Sequence, residues 1–271
     1  MIDMLWYIVW PVVIFIGINV SVNAIFSWII LGKNIYDSSG SLSFGTDIME
    51  DNSVIIMLIT MLIAIPIMIV LMKKDEDRRG FLTFKQHFKK IDFKGFLWLI
   101  PLGICMCLGI SKLVTLFPID NILGSYEKTL EGYKNSGLVV RILTLCILVP
   151  IGEELVYRGL FYKRLKKYYE TTIAAYLSAI LFGVAHMNLV QGIYGFILAV
   201  IIIYVYEKYN TIFAPIFLHI MINTMALISG EFDIFSKIND VLIAKLFFML
   251  VEIAGIVLFV RIIRVKKQEL T

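Results

Sequence analysis

Apolar residues dominate this chain in stretches long enough to cross a lipid bilayer as helices. Eight stretches can be marked, near 5–31, 54–72, 95–117, 138–162, 172–190, 193–206, 211–229 and 241–262. A helical crossing of the hydrocarbon core takes about 20 predominantly apolar residues. The sixth stretch has roughly 14 and is expected to begin earlier or to be shielded by its neighbours. Pro11, Pro66 and Pro101 lie within or at the edges of spans and are tolerated there as kinks. No internal repeat and no low-complexity tract interrupts the pattern. It predicts an all-α, polytopic membrane helical bundle of about eight transmembrane helices, in one domain covering 1–271.

Composition agrees. The 271 residues are 59% hydrophobic and 17% charged, against about 45–50% and about 25% in soluble domains. Mean hydropathy is +0.86. The first span, Leu5 to Leu31, exceeds a signal-peptide core and lacks a basic n-region and a small-residue cleavage site. It is expected to be a retained helix. Cys105, Cys107 and Cys146 all fall in predicted spans and read as small apolar side chains.

The net charge of +4 matters less than where the charges lie. Lys73, Lys74, Arg78, Arg79, Lys85, Lys89, Lys90 and Lys94 follow span two. Lys163, Arg164, Lys166 and Lys167 follow span four, and Arg261, Arg264, Lys266 and Lys267 follow span eight. The alternate loops are poor in basic residues: 32–53 carries only Lys33 and 230–240 only Lys237. The bias predicts cytoplasmic termini. Basic residues that cap hydrophobic segments, instead of sharing a soluble face, argue against nucleic-acid binding. FLTFKQHFKKIDF interleaves aromatics with lysines and is expected to lie along the membrane surface, with His87 as an interfacial polar residue.

Against this background a few polar residues stand out: Glu153 and Glu154, His186, and His219 with Asn223. An ionisable group in hydrocarbon costs several kcal/mol unless it faces a partner, a bundle interior or water. Taking Arg164, Thr172 and Thr211 as the cytoplasmic edge, helical rise puts Glu153 roughly 16 Å deep and His186 roughly 21 Å deep. His219 and Asn223 come at roughly 12 and 18 Å. All fall in the middle of a core about 30 Å thick. Glu154 and Arg158, Phe182 and His186, and His219 and Asn223 are each spaced i,i+4, so each pair shares a helix face. Glu153 points about 100° away from Glu154, so the two carboxylates can take different jobs. Tyr157, Phe182, Asn188 and Gln191 either line a cavity or serve packing and capping. Glu252 and Arg141 are also unusual for a membrane span.

The chain supplies what peptide hydrolysis needs without a serine or cysteine nucleophile: a base for water, donors for the oxyanion and an acid for the leaving amine. GEELVYRG, FGVAH and HIMIN, in this order on adjacent spans, resemble the motifs of the CAAX protease and bacteriocin-processing family, also called the Abi family, of intramembrane endopeptidases. The similar stretch runs from about Leu138 to Met225, which marks 138–225 as the catalytic core. The resemblance implies proteolysis within the membrane, near the C-terminus of prenylated proteins in eukaryotic members. In bacterial members it implies peptide maturation, bacteriocin production or self-immunity. Carried over, Glu153 activates water together with His186, while His219 and Asn223 stabilise the oxyanion; Glu154 and Arg158 support the site.

Two readings of the cofactor stand side by side. Two histidines and a glutamate suffice for a catalytic zinc with an open position, in which case His186, His219 and Glu153 hold it. No His-Glu-x-x-His pairing exists, however, and the glutamate mechanism works without metal. The expected partners are a lipid bilayer and a peptide or lipidated protein substrate. Ile-, Lys- and Asn-rich usage points to an AT-rich bacterial genome and hence a bacterial plasma membrane. The rival functions are a non-catalytic immunity or scaffold protein and a proton-coupled transporter. The transporter is disfavoured because carriers usually show a repeat.

Overall fold

The computed structural model describes residues 2–36, 49, 51–116 and 131–232, with Leu246, Leu250 and Ile253 beyond them. Apart from those three residues, the eighth expected span lies outside the described residues, as do its basic cluster and Glu252. Those described form helices and no strand. In chain order the helices are α1 (Ile2–Tyr36), α2 (Ser53–Arg79), α3 (Phe84–Lys89), α4 (Phe93–Phe96), α5 (Leu99–Leu116), α6 (138–165), α7 (Thr171–Val184), α8 (Leu189–Tyr209) and α9 (Phe213–Glu231). Among the described residues, four stretches are long and apolar enough to cross a membrane: Asp3–Ile30, Ser53–Arg78, Leu189–Tyr209 and Phe213–Glu231. Phe93–Gly109 and Thr171–Val184 are shorter apolar helical stretches. The chain is an all-α integral membrane protein.

Helix boundaries follow local chemistry. Gly80 adopts the left-handed conformation (φ 67°) that stops α2, and its N–H donates to the Glu76 carbonyl. Thr83 opens α3 with a capping box: its side chain accepts from the Gln86 N–H while the Gln86 side chain accepts from the Thr83 N–H. Asn188 opens α8 by accepting from the Gln191 N–H. Asn210, left-handed at φ 49°, closes it. The sixth span thus begins earlier than its apolar core, at Leu189, and reaches 21 residues. The fifth ends earlier than 190, at Val184. The third starts at Leu99, not 95, because the chain turns at Leu97 and Trp98. Pro101 lies in the first turn of α5, where its missing N–H leaves no bond unmade.

Two compact units emerge, one of 1–81 with 124–174 and one of 82–123 with 175–271. The division passes through the first turn of α7.

In the first unit α1 and α2 pack against α6. α6 is not a uniform α-helix. Ile142–Leu148 and Leu155–Tyr162 are wound wider, with i→i+5 bonding such as Val149 N–H to the Thr144 carbonyl, and Val149–Glu154 between them is ordinary α. A proline ring clashes with the carbonyl four residues earlier in a regular helix. The wide turn before Pro150 relieves that clash with Cys146. Near the end of α6, Arg164 ties three helices together. Its Nε donates to Asp75 of α2 at 2.8 Å, its Nη1 donates to the Tyr7 carbonyl of α1, and its guanidinium lies over the Tyr7 ring.

In the second unit α5 and α8 pack on α9 around Leu99, Leu102, Met106, Leu198, Ile202, Leu218 and Ile222. Gly103 permits the close approach of α5: a methyl group there would lie 2.9 Å from Met221 Cβ. His87, expected at an interface, is instead fully buried. Its carbonyl accepts from Thr211 Oγ1 at 2.8 Å and its Nδ1 accepts from the Ile212 N–H at 3.3 Å, which ties α3 to the start of α9.

Candidate functional site

Glu153 and Glu154 sit at the end of the short α segment of α6, between its two wide turns. Wide turns of this kind are rare and gather at functional sites, because they re-aim side chains within a helix. They also put more residues into each turn, so the depth of roughly 16 Å reckoned for Glu153 from α-helical rise is overstated. Glu153 is half-buried and Glu154 fully buried. Arg158 Nη1 donates to Glu154 Oε1 at 2.8 Å, with both side chains wholly removed from the surface. The i,i+4 ion pair read from the sequence is formed. Tyr157 is buried beside it, edge-on to Phe15 of α1 at 6.4 Å between ring centres.

Two glycines keep this helix close to α2. A methyl at Gly152 would lie 2.6 Å from Met61 Sδ, and one at Gly159 would lie 2.8 Å from Met72 Sδ. Glycine here lets the glutamate-bearing helix approach its neighbour.

The second unit carries the two imidazoles. His186 lies not within a helix, as the 172–190 span implied, but in the turn after α7. Met187 (φ 54°) takes the left-handed region there, and Asn188 caps α8. Helix α7 has 14 residues, about 21 Å of rise, which is short of a core about 30 Å thick. If Thr171 stands at the membrane edge, the turn lies at membrane depth. Non-helical backbone is tolerated at such depth only when buried in protein or lining a water-filled cavity.

His186 is fixed by Phe182. Its Nδ1 lies 2.8 Å from the Phe182 carbonyl, and a carbonyl only accepts, so Nδ1 carries the proton. In the neutral ring Nε2 is therefore the lone-pair nitrogen. The Phe182 ring stands edge-on to both histidines, 4.9 Å from His186 and 6.1 Å from His219 by ring centres. The structure thus brings His186 and His219 together around one aromatic ring. Asn223 is half-buried one turn beyond the buried His219 on α9.

Small residues make this arrangement fit. A methyl at Gly183 would lie 2.6 Å from the Gly192 carbonyl oxygen, so α7 and α8 touch backbone to backbone. Gly195 faces the His186 ring, leaving it ordinary contact distance. Sequence reasoning did not single out Gly183, Gly192 or Gly195. It did note Asn188 and Gln191, whose capping spacing marks the break that puts His186 in a turn. Arg141 is buried in the first unit. Within neither unit do three or more described His, Cys, Asp or Glu side chains gather closely enough to hold a metal ion.

Residues 135–225 match the family model described as Rce1-like, type II CAAX prenyl endopeptidase. The match takes in all three motifs and nearly coincides with the 138–225 stretch, so the resemblance drawn from those motifs is borne out over this segment. It supports an intramembrane protease of the CAAX type. No curated protein and no solved structure matches the chain.

Proposed function

We propose that the protein cleaves a peptide bond of a membrane-associated or leader-bearing peptide, or of a lipidated protein, with a water activated by Glu153 and His186. The tautomer of His186 carries the proposal. With Nδ1–H committed to the Phe182 carbonyl, Nε2 is left to accept a hydrogen bond from water and orient it. Glu153 takes the water proton as the oxygen attacks the peptide carbon. A ring N–H of His219 and the side-chain amide of Asn223 donate to the oxyanion that forms. As the C–N bond breaks, the proton held by Glu153 passes to the leaving amine; the products are a carboxylic acid, which keeps the second water proton, and an amine, and they ionise to carboxylate and ammonium on release.

Glu154 and Arg158 do not enter these steps. Their buried ion pair holds its part of α6 in shape next to Glu153. The steps above use no metal; a zinc held by His186, His219 and Glu153 is the alternative. The substrate is proposed to be a peptide or membrane protein of a bacterial plasma membrane, with the protease's termini on the cytoplasmic side.

Purified protein in liposomes, assayed against a library of membrane-inserted peptides, tests the activity, and chelation with metal add-back tests the cofactor. The reading predicts new termini and full rates after chelation. Solute flux with no cleaved product would point to a carrier instead. A cellular immunity effect that survives Glu153→Ala and His186→Ala would point to a scaffold.

A further inference from the structure

The second unit carries an open surface groove of about 420 Å³ that belongs to none of the groups above. Ile91, Phe93, Phe96 and Leu97 form one side; Phe213, Ile216, Phe217 and Ile220 of α9 form the other. Every lining side chain is apolar, and the four from α9 follow the i, i+3, i+4, i+7 spacing of one helix face. Its surroundings are different. Lys90 immediately precedes Ile91, Lys89 ends α3, and Lys94 lies on α4 between Phe93 and Phe96. Lys89 and Lys94 are exposed and Lys90 half-exposed, against a single acid, Asp92. Phe93, Leu97 and Trp98 are each at least half exposed. Aromatic and basic residues mixed in this way belong at the boundary between headgroups and acyl chains.

The geometry points to a binding site for an anionic glycerophospholipid, with one acyl chain in the Phe93–Phe217 groove and the phosphate at Lys89, Lys90 and Lys94. The groove fits hydrocarbon because it offers no hydrogen-bonding group. The lysines at its margin select the headgroup, since basic side chains near a membrane surface favour anionic lipid several-fold each. The tail lies along α9, the helix that carries His219, so the lipid bridges the surface segment and that helix. This inference is independent of the proposed mechanism.

Lipid binding to the full chain in detergent tests it, by native mass spectrometry and by thermal unfolding. The probes are phosphatidylglycerol and phosphatidylcholine with identical acyl chains. Wild type is expected to bind phosphatidylglycerol at least about tenfold more tightly and to unfold at a higher temperature in its presence. K89Q/K90Q/K94Q should reduce the preference to near unity and leave phosphatidylcholine binding unchanged. Ile220→Trp, which fills the groove, should weaken both lipids. Equal binding of the two lipids by wild type, as an apolar polypeptide occupant would give, overturns the site. So does a preference that survives the triple lysine variant, or unaltered lipid binding in Ile220→Trp.

Discussion

The Phe182 carbonyl accepts the Nδ1 proton of His186 at 2.8 Å, and the ring of the same phenylalanine stands edge-on to His219 at 6.1 Å. One residue therefore sets the tautomer of the first imidazole and packs against the second. Phe182→Leu keeps the carbonyl and removes the ring. It should lower kcat by about tenfold with little change in KM, since only the positioning of catalytic groups is loosened. His186→Ala should cost about 10²–10⁴-fold, the usual worth of a positioned acid–base group. Steady-state cleavage kinetics on both variants separate the two effects.

Glu154 and Arg158 form a buried pair on α6. Removing one partner takes away the nearest compensating charge from the other in a buried place, which costs about 3–5 kcal/mol, whereas replacing both by apolar groups of like volume is close to neutral. Arg158→Met should therefore destabilise strongly, and Glu154→Leu/Arg158→Met should regain most of the loss. Reversible unfolding in mixed micelles reads the difference. Equal destabilisation by the single and double variants would contradict a structural pair.

Gly183 and Gly17 make a controlled comparison. A methyl at Gly183 meets the Gly192 carbonyl at 2.6 Å, while one at Gly17 meets nothing within 4 Å. Gly183→Ala forces α7 and α8 apart and should cost about 1–3 kcal/mol. Gly17→Ala in the interior of α1 should be neutral or stabilising by up to about 1 kcal/mol. The thermal midpoints of the two variants check this.

Arg164 is the third structural test. It meets Asp75, the Tyr7 carbonyl and the Tyr7 ring at once through a planar fork. Lysine keeps the charge but not the fork. Arg164→Lys should lose about half of the stability lost in Arg164→Leu, as measured by denaturant midpoints.

Much of this was legible in the sequence, for reasons that differ by residue. The Glu154–Arg158 pair followed from i,i+4 spacing and survived even though the helix around it is partly wound wider. The spacing of Phe182 and His186 also held, although α7 ends between them at Val184. The end itself was hidden inside a continuous apolar run. The signal for it was Asn188 followed three residues later by Gln191, the signature of a helix start. The wide turns of α6 could not be read, because the shift from i→i+4 to i→i+5 bonding is set by the folded backbone and has no residue signature of its own here. The Arg164–Asp75 bond joins residues 89 positions apart, a pairing no local pattern encodes. His87 was misplaced because its short helix reads as amphipathic, whereas tertiary contact with Thr211 and Ile212 buries it.

The proposed function rests on the Glu153 carboxylate taking a proton from the attacking water. Single-turnover cleavage of a membrane-inserted peptide by Glu153→Gln in liposomes tests it most directly. Glutamine keeps the volume and hydrogen bonding but cannot take the proton. A fall of at least about 10²-fold, with unfolding temperature and substrate binding unchanged, is the predicted result. Cleavage at the wild-type rate would contradict it.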